Sequence, residues 1–146
     1  MFSILEMFKI GVGPSSSHTV GPMVAACKFV ESLEHTGTLG RVSRVRTVLY
    51  GSLALTGLGH GTDRATVAGL GGNMPQTVDT DHVNIIRHEC ESSGELLLAG
   101  KHRIDFDYAH DVVMDVWHRL AAHPNGMRFQ AFDQQNNLVD EQVWYS

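Results

Sequence analysis

Met23, Ala26, Cys27, Val30 and Leu33 recur at helical spacing, and soon after Leu33 the hydrophobic period switches to that of a strand, over Val42, Val45, Thr47 and Val48. The switch predicts a helix from Pro22 to roughly Glu34, stopped near Gly37, followed by a strand from Val42 to Ser52 that leads into Leu53-Ala54-Leu55-Thr56. Gly57-Leu58-Gly59-His60-Gly61-Thr62-Asp63 then reads as a glycine-rich turn, and Arg64 to Leu70 as a helix ended by Gly71-Gly72. Before all of this, Ile4, Leu5 and Phe8 suit one or two helical turns. Further on, Asp79 to Glu91 reads as a polar, His-rich helix. Glu95 to Asp107 joins an apolar triplet to the alternating tail Ile104-Asp105-Phe106. Met127 to Phe132 and Leu138 to Tyr145 alternate around Asp133 to Asn137, which predicts a hairpin with an exposed edge. Trp117 and Trp144 are expected to supply core or interface area. A chain of 146 residues, 42% hydrophobic, with no internal repeat and no linker-like shift in composition, suits one domain over residues 1–146. The expected architecture is an α+β sandwich in which helices pack on a mixed, largely antiparallel sheet.

A net charge of −5 with 18% charged residues leaves no basic stripe for nucleic acid and no polybasic anchor for a membrane. No apolar run approaches the roughly 20 residues of a spanning helix, and the start lacks the order of a signal peptide, so a cytoplasmic location and a small-molecule partner are expected. Cys27 and Cys90, far apart, suit two buried thiols.

The chemistry-bearing residues gather at two glycine-flanked segments. In Gly11-Val12-Gly13-Pro14-Ser15-Ser16-Ser17-His18-Thr19, hydroxyl donors stand before the first helix, whose unpaired amides and positive dipole end favour an anion such as a carboxylate. The competing view is that Ser17 or Thr19 merely caps that helix. In the second segment His60 lies between Gly59 and Gly61, followed by Thr62 and Asp63. A histidine so held is a candidate general base, whereas an exposed histidine with Asp63 as helix cap is the plainer alternative. Asn73 suits either a helix cap or an amide that fixes a ligand. His123, before Pro124-Asn125, either reaches a site or decorates a turn. His35, His82, His88, His102, His110 and His118 are scattered without zinc-site spacing, and no metal is expected on this chain.

Phe8-Lys9-Ile10-Gly11-Val12-Gly13-Pro14-Ser15-Ser16-Ser17-His18-Thr19-Val20-Gly21-Pro22-Met23 resembles the opening signature of the iron-sulfur L-serine dehydratases, or L-serine ammonia-lyases. Tyr50 to Asp63 is similar to that family's second motif, and Gly69 to Pro75 and His123 to Met127 resemble two further segments in the same order. The resemblance implies the amino-terminal beta domain of an enzyme that converts L-serine to pyruvate and ammonia without pyridoxal phosphate. Its cofactor is a [4Fe-4S] cluster whose open iron makes the serine hydroxyl a leaving group. It also extends to the allosteric substrate-binding domain of some phosphoglycerate dehydrogenases. The family's cluster cysteines lie in a second, helical domain, and Cys27 and Cys90 cannot replace them. The chain is therefore expected to be a fragment, inactive and cluster-free alone, whose partners are L-serine, the catalytic alpha domain of the same polypeptide and a second copy in a homodimer.

On this resemblance His60 takes the Cα proton, with His123 the runner-up for that role, Ser15, Ser16, Ser17, His18 and Thr19 hold the serine carboxylate, and Thr62, Asp63, Asn73 and His123 complete the substrate contacts. A regulatory module that senses serine without catalytic residues, and a purely structural dimerisation domain, are the competing functions.

Overall fold

The computed structural model describes residues 18–119, 123 and 125–146. The expected turns around Ile4, Leu5 and Phe8 and the run from Gly11 to Ser17 lie outside them, as do the side chains of Thr56, Leu58 and His60. The first helix, α1 (Val20–His35), begins just before its predicted start, because the Thr19 carbonyl already accepts the Met23 N–H at 3.1 Å. Pro22 is tolerated there since first-turn amides have no partner within the helix. The predicted stripe is buried, and so are Val24, Ala25 and Phe29, so α1 is covered around most of its circumference. Gly37, at φ +73°, ends it.

After a 3-10 turn (Leu39–Arg41), β1 (Arg44–Tyr50) stops short of Ser52. The residues that follow correct the sequence expectation. Leu53 to Thr56 do not extend the strand, and Gly57 to His60 are not a turn: all belong to a helix, α2 (Ser52–His60), which Gly61 alone joins to α3 (Thr62–Leu70). Glycine lowers helix propensity by roughly 1 kcal/mol; at Gly57 the space of a Cβ is taken by the flexible end of Met114, which would have to move aside for a larger residue. Gly61, at φ +72°, is the one left-handed residue in the segment. Gly69 serves close packing, since a side chain there would strike the Met23 carbonyl and bar α3 from α1.

The polar helix appears as α4 (Thr80–Ser93), with Asp79 accepting the Asp81 N–H as its cap. Beyond it β2 (Glu95–Leu98) and β3 (His102–Asp105) form a separate hairpin, docked where the Ala99 N–H donates to the Leu70 carbonyl. Two elements that the sequence did not announce follow, α5 (Tyr108–Asp111) and β4 (Val112–Asp115). The predicted hairpin is β5 (Gly126–Phe132) and β6 (Leu138–Tyr145).

The main sheet has the order β4-β1-β5-β6, with β4 parallel to β1 and the other pairs antiparallel, so the α+β reading with a mixed, largely antiparallel sheet holds. Its inner residues Val45, Leu49, Met127, Phe129 and Ala131 share one core with Phe29 and Leu33 of α1, and the rings of Phe29 and Phe129 stack at 5.4 Å. Trp144 packs partly buried against this core, whereas Trp117 is 89% exposed and is not core. One consequence of the register matters for the site. The carboxyl ends of β1 and β4, the amino end of β5 and the carboxyl end of β6 meet at one end of the sheet, through the pairs Tyr50 with Asp115, Leu49 with Met127 and Gly126 with Tyr145.

Candidate functional site

The first link between the two glycine-flanked segments is a hydrogen bond. His18, just before α1, places Nε2 at 2.9 Å from Oγ of Ser52, the first residue of α2. The turn at Ser52 is fixed by Gly51, at φ +55°, whose N–H donates to the Asp115 carbonyl at 3.0 Å. Thus the end of the serine loop is tied to the strand-to-helix corner.

A cleft of about 240 Å³ supplies the second link. Thr19, Val20 and Met23 form one wall, Gly61, Arg64 and Ala65 a second, and Pro75, Val78, Thr80, Val83 and Asn84 close it. Residues from the serine-loop segment, from the glycine-histidine segment and from the segment around Asn73 therefore meet around one small space. His60 is the last residue of α2, next to Gly61 of the cleft wall. Ser15, Ser16 and Ser17 lie outside the described residues, immediately before His18. Volumes of this size suit a molecule of a few heavy atoms, and the apolar walls with a few polar groups are the usual make-up of a small-ligand site. Larger open grooves, of about 750 and 730 Å³, flank α4 away from the motif residues of α1.

The remaining expected site residues are placed elsewhere. Thr62 is fully buried, and its Oγ1 has no hydrogen-bond partner among the described residues. Asp63, 6% exposed, points away from the cleft lining: it accepts the Tyr108 hydroxyl at 2.7 Å and lies 3.9 Å from the Arg87 guanidinium. Arg87 in turn sits over the Tyr108 ring at 5.1 Å. Burial, and then the bond to Asp63, push the Tyr108 hydroxyl far above its ordinary pKa, so it stays a donor. This network joins the first turn of α3 to α4 and α5. Asn73 donates through Nδ2 to the Ala68 carbonyl at 2.9 Å, which caps α3, and it lines the larger groove against α4 and the β2–β3 hairpin. His123 stands at the sheet end described above, where Nδ1 accepts the Asn125 N–H at 3.1 Å and the ring lies 4.9 Å from that of Tyr145. At the same end Asp115 holds His118, with Nδ1 at 2.9 Å from Oδ2.

The structure thus unites His18 and Thr19 with the glycine-histidine segment and separates Asp63, Asn73 and His123 from the cleft. Three participants that the sequence reading passed over, Arg64, Arg87 and Tyr108, carry no motif of their own. They become visible only when α3, α4 and α5 are brought together.

Cys27 and Cys90 are buried on different helices, α1 and α4. Burial pushes both thiols up to about 11, and nearby glutamates add to the shift. Among the described residues no group of three or more His, Cys, Asp and Glu side chains is placed to hold a metal ion. The residues present therefore do not fit an iron-sulfur cluster, which needs about three or four thiolates. No helix among the described residues is long and apolar enough to cross a membrane.

Comparison with known proteins identifies the family. The family model described as serine dehydratase beta chain matches residues 3–146. An L-serine dehydratase of Helicobacter pylori is 46% identical over 145 residues, covering 99% of this chain and 31% of the relative. One from Streptomyces coelicolor is 44% identical over 144 residues, with 99% and 32% covered. L-serine dehydratase 1 of Escherichia coli is 44% identical over 147 residues, with 100% and 32% covered. The chain thus spans about a third of the length of the curated relatives it matches.

Proposed function

The chain belongs to the serine dehydratase beta-chain family, and from that premise we propose that it supplies the carboxylate-binding and acid-base side chains of an enzyme that converts L-serine to pyruvate and ammonia. The observation that carries the reading is the cleft at which Thr19 of the serine-loop segment meets Gly61, next to His60. The serine carboxylate lies at the amino end of α1, held by hydroxyls of Ser15, Ser16, Ser17 and Thr19 and by first-turn amides, with His18 braced on Ser52. His60 acts in its neutral form, because a protonated imidazole has no lone pair with which to take the Cα proton.

Loss of the Cα proton and the β-hydroxide leaves aminoacrylate and water. Tautomerisation to the imine and addition of water then release ammonia and pyruvate, with no net oxidant. Departure of the hydroxide is assigned to no residue of this chain. We place the [4Fe-4S] cluster that the family resemblance implies in the remaining two-thirds of the polypeptide, and we take the whole enzyme to be a cytoplasmic homodimer without pyridoxal phosphate. Asp63 serves as the anchor of α3 through Tyr108 and Arg87, Asn73 as its cap, and His123 as a residue that orients substrate or the catalytic domain at the sheet end.

Ser16→Ala in the full-length polypeptide separates this reading from simple helix capping. Removal of one charge-assisted hydrogen bond costs about 1.5–3 kcal/mol, so the L-serine concentration at half-maximal rate should rise by roughly 10-fold or more. If Ser15, Ser16 and Ser17 can each become alanine without kinetic change, the loop only caps α1.

A further inference from the structure

We infer that Arg64 is the cationic partner of the substrate carboxylate and so sets the preference of this cleft for small acids, an inference that rests on the serine dehydratase reading above. Arg64 belongs to the first turn of α3 (Thr62–Leu70). That is the end of a helix where the dipole disfavours a cation, so the position itself offers no reason for an arginine. Its guanidinium lies beside Gly61, so close that a Cβ there would come within 2.8 Å of Nη2. The side chain is therefore turned back over the corner that forms the cleft wall, and it lines the cleft with Thr19 and Asn84.

Among the described residues Arg64 has no hydrogen-bond or ion-pair partner. Two nearby acids are already engaged. Asp63 takes the Tyr108 hydroxyl and faces Arg87, and Asp79 takes the Asp81 N–H. A half-buried guanidinium with no carboxylate partner among the described residues, on a cleft of about 240 Å³ walled by Val20, Met23, Ala65, Pro75, Val78 and Val83, suits one small organic acid. Arg64 and the amino end of α1 border the same cleft, so both would favour one anion bound there. L-Serine, with one carboxylate and a short polar side chain, has the charge and size of such a guest.

The experiment uses the full-length dehydratase carrying Arg64→Gln and, separately, Arg64→Lys. Competitive inhibition by 3-hydroxypropionate is compared with inhibition by its amide. Arg64→Gln should raise KM for L-serine about 10- to 100-fold while kcat changes less than about threefold, and it should abolish the preference for the acid over the amide. Arg64→Lys should restore part of both, which a loss of fold would not allow. An unchanged KM with the acid still preferred overturns the inference, and so does a fall in kcat alone. In either case pyruvate formation by the variant leaves the serine dehydratase reading standing. Absence of pyruvate from the wild-type enzyme would instead remove the premise.

Discussion

His60→Ala in the full-length polypeptide is expected to lower kcat for pyruvate formation by about 10²- to 10⁴-fold, the usual contribution of a positioned base. Iron content should be unchanged, because the described residues of this chain offer no cluster site. KM should move little if the carboxylate is held by the α1 end and Arg64 rather than by the imidazole. Activity of the wild type should fall as pH drops through the histidine's pKa, since only the neutral ring accepts a proton, and the residual rate of the variant should lose that limb of the profile. Steady-state rates across pH, with iron assayed on the same samples, check all of this. A variant that keeps basal turnover but no longer responds to serine would favour the regulatory module instead.

The second large effect concerns the frame that holds the cleft. Phe129 is fully buried in the middle of β5 and stacks on Phe29 of α1, so it couples the sheet to the helix whose amino end forms the proposed anion site. Phe129→Ala removes a buried aromatic at a cost of about 3–5 kcal/mol, part of it from the stack itself. At this chain length each kcal/mol corresponds to roughly 2–4 °C, so thermal unfolding should shift down by about 6–20 °C. Trp117→Ala is the matched contrast. With 89% of its surface exposed, that residue should change stability by less than about 0.5 kcal/mol. Comparable losses at both positions would mean that the core is misplaced.

Much of this frame was legible in the residues themselves. The stripe of α1, the run of β1, the body of α3 and the β5–β6 hairpin follow from periodicity, and Asp79 announces the start of α4. The failures have physical causes. Gly57 and Gly59 read as turn residues because glycine usually serves the backbone, yet both lie inside α2, where Gly57 packs against Met114 from β4, a strand too short at four residues to show alternation. A parallel partner in the sheet is a long-range fact that no local pattern reports. The site was legible in part: the serine-loop and histidine segments were recognised, and the cleft joins their ends. The sequence leaves Asp63 and Asn73 open between helix caps and the substrate contacts that the resemblance implies; in this structure their side chains bond Tyr108 and the Ala68 carbonyl, which no local pattern announces. Arg64 went unseen because a lone arginine in a helix carries no signature until the turn beneath it is known.

Pyruvate formation from L-serine, measured under anaerobic conditions after reconstitution with iron and sulfide, bears most directly on the central claim when the 146-residue chain and the full-length polypeptide are assayed side by side. Pyruvate and ammonia are expected in equal amounts from the full-length protein, and neither pyruvate nor a stable cluster absorbance from the 146-residue chain alone, since its two buried thiols are too few. A full-length protein that holds its cluster yet leaves L-serine untouched would contradict the account, as would pyruvate from the 146-residue chain by itself.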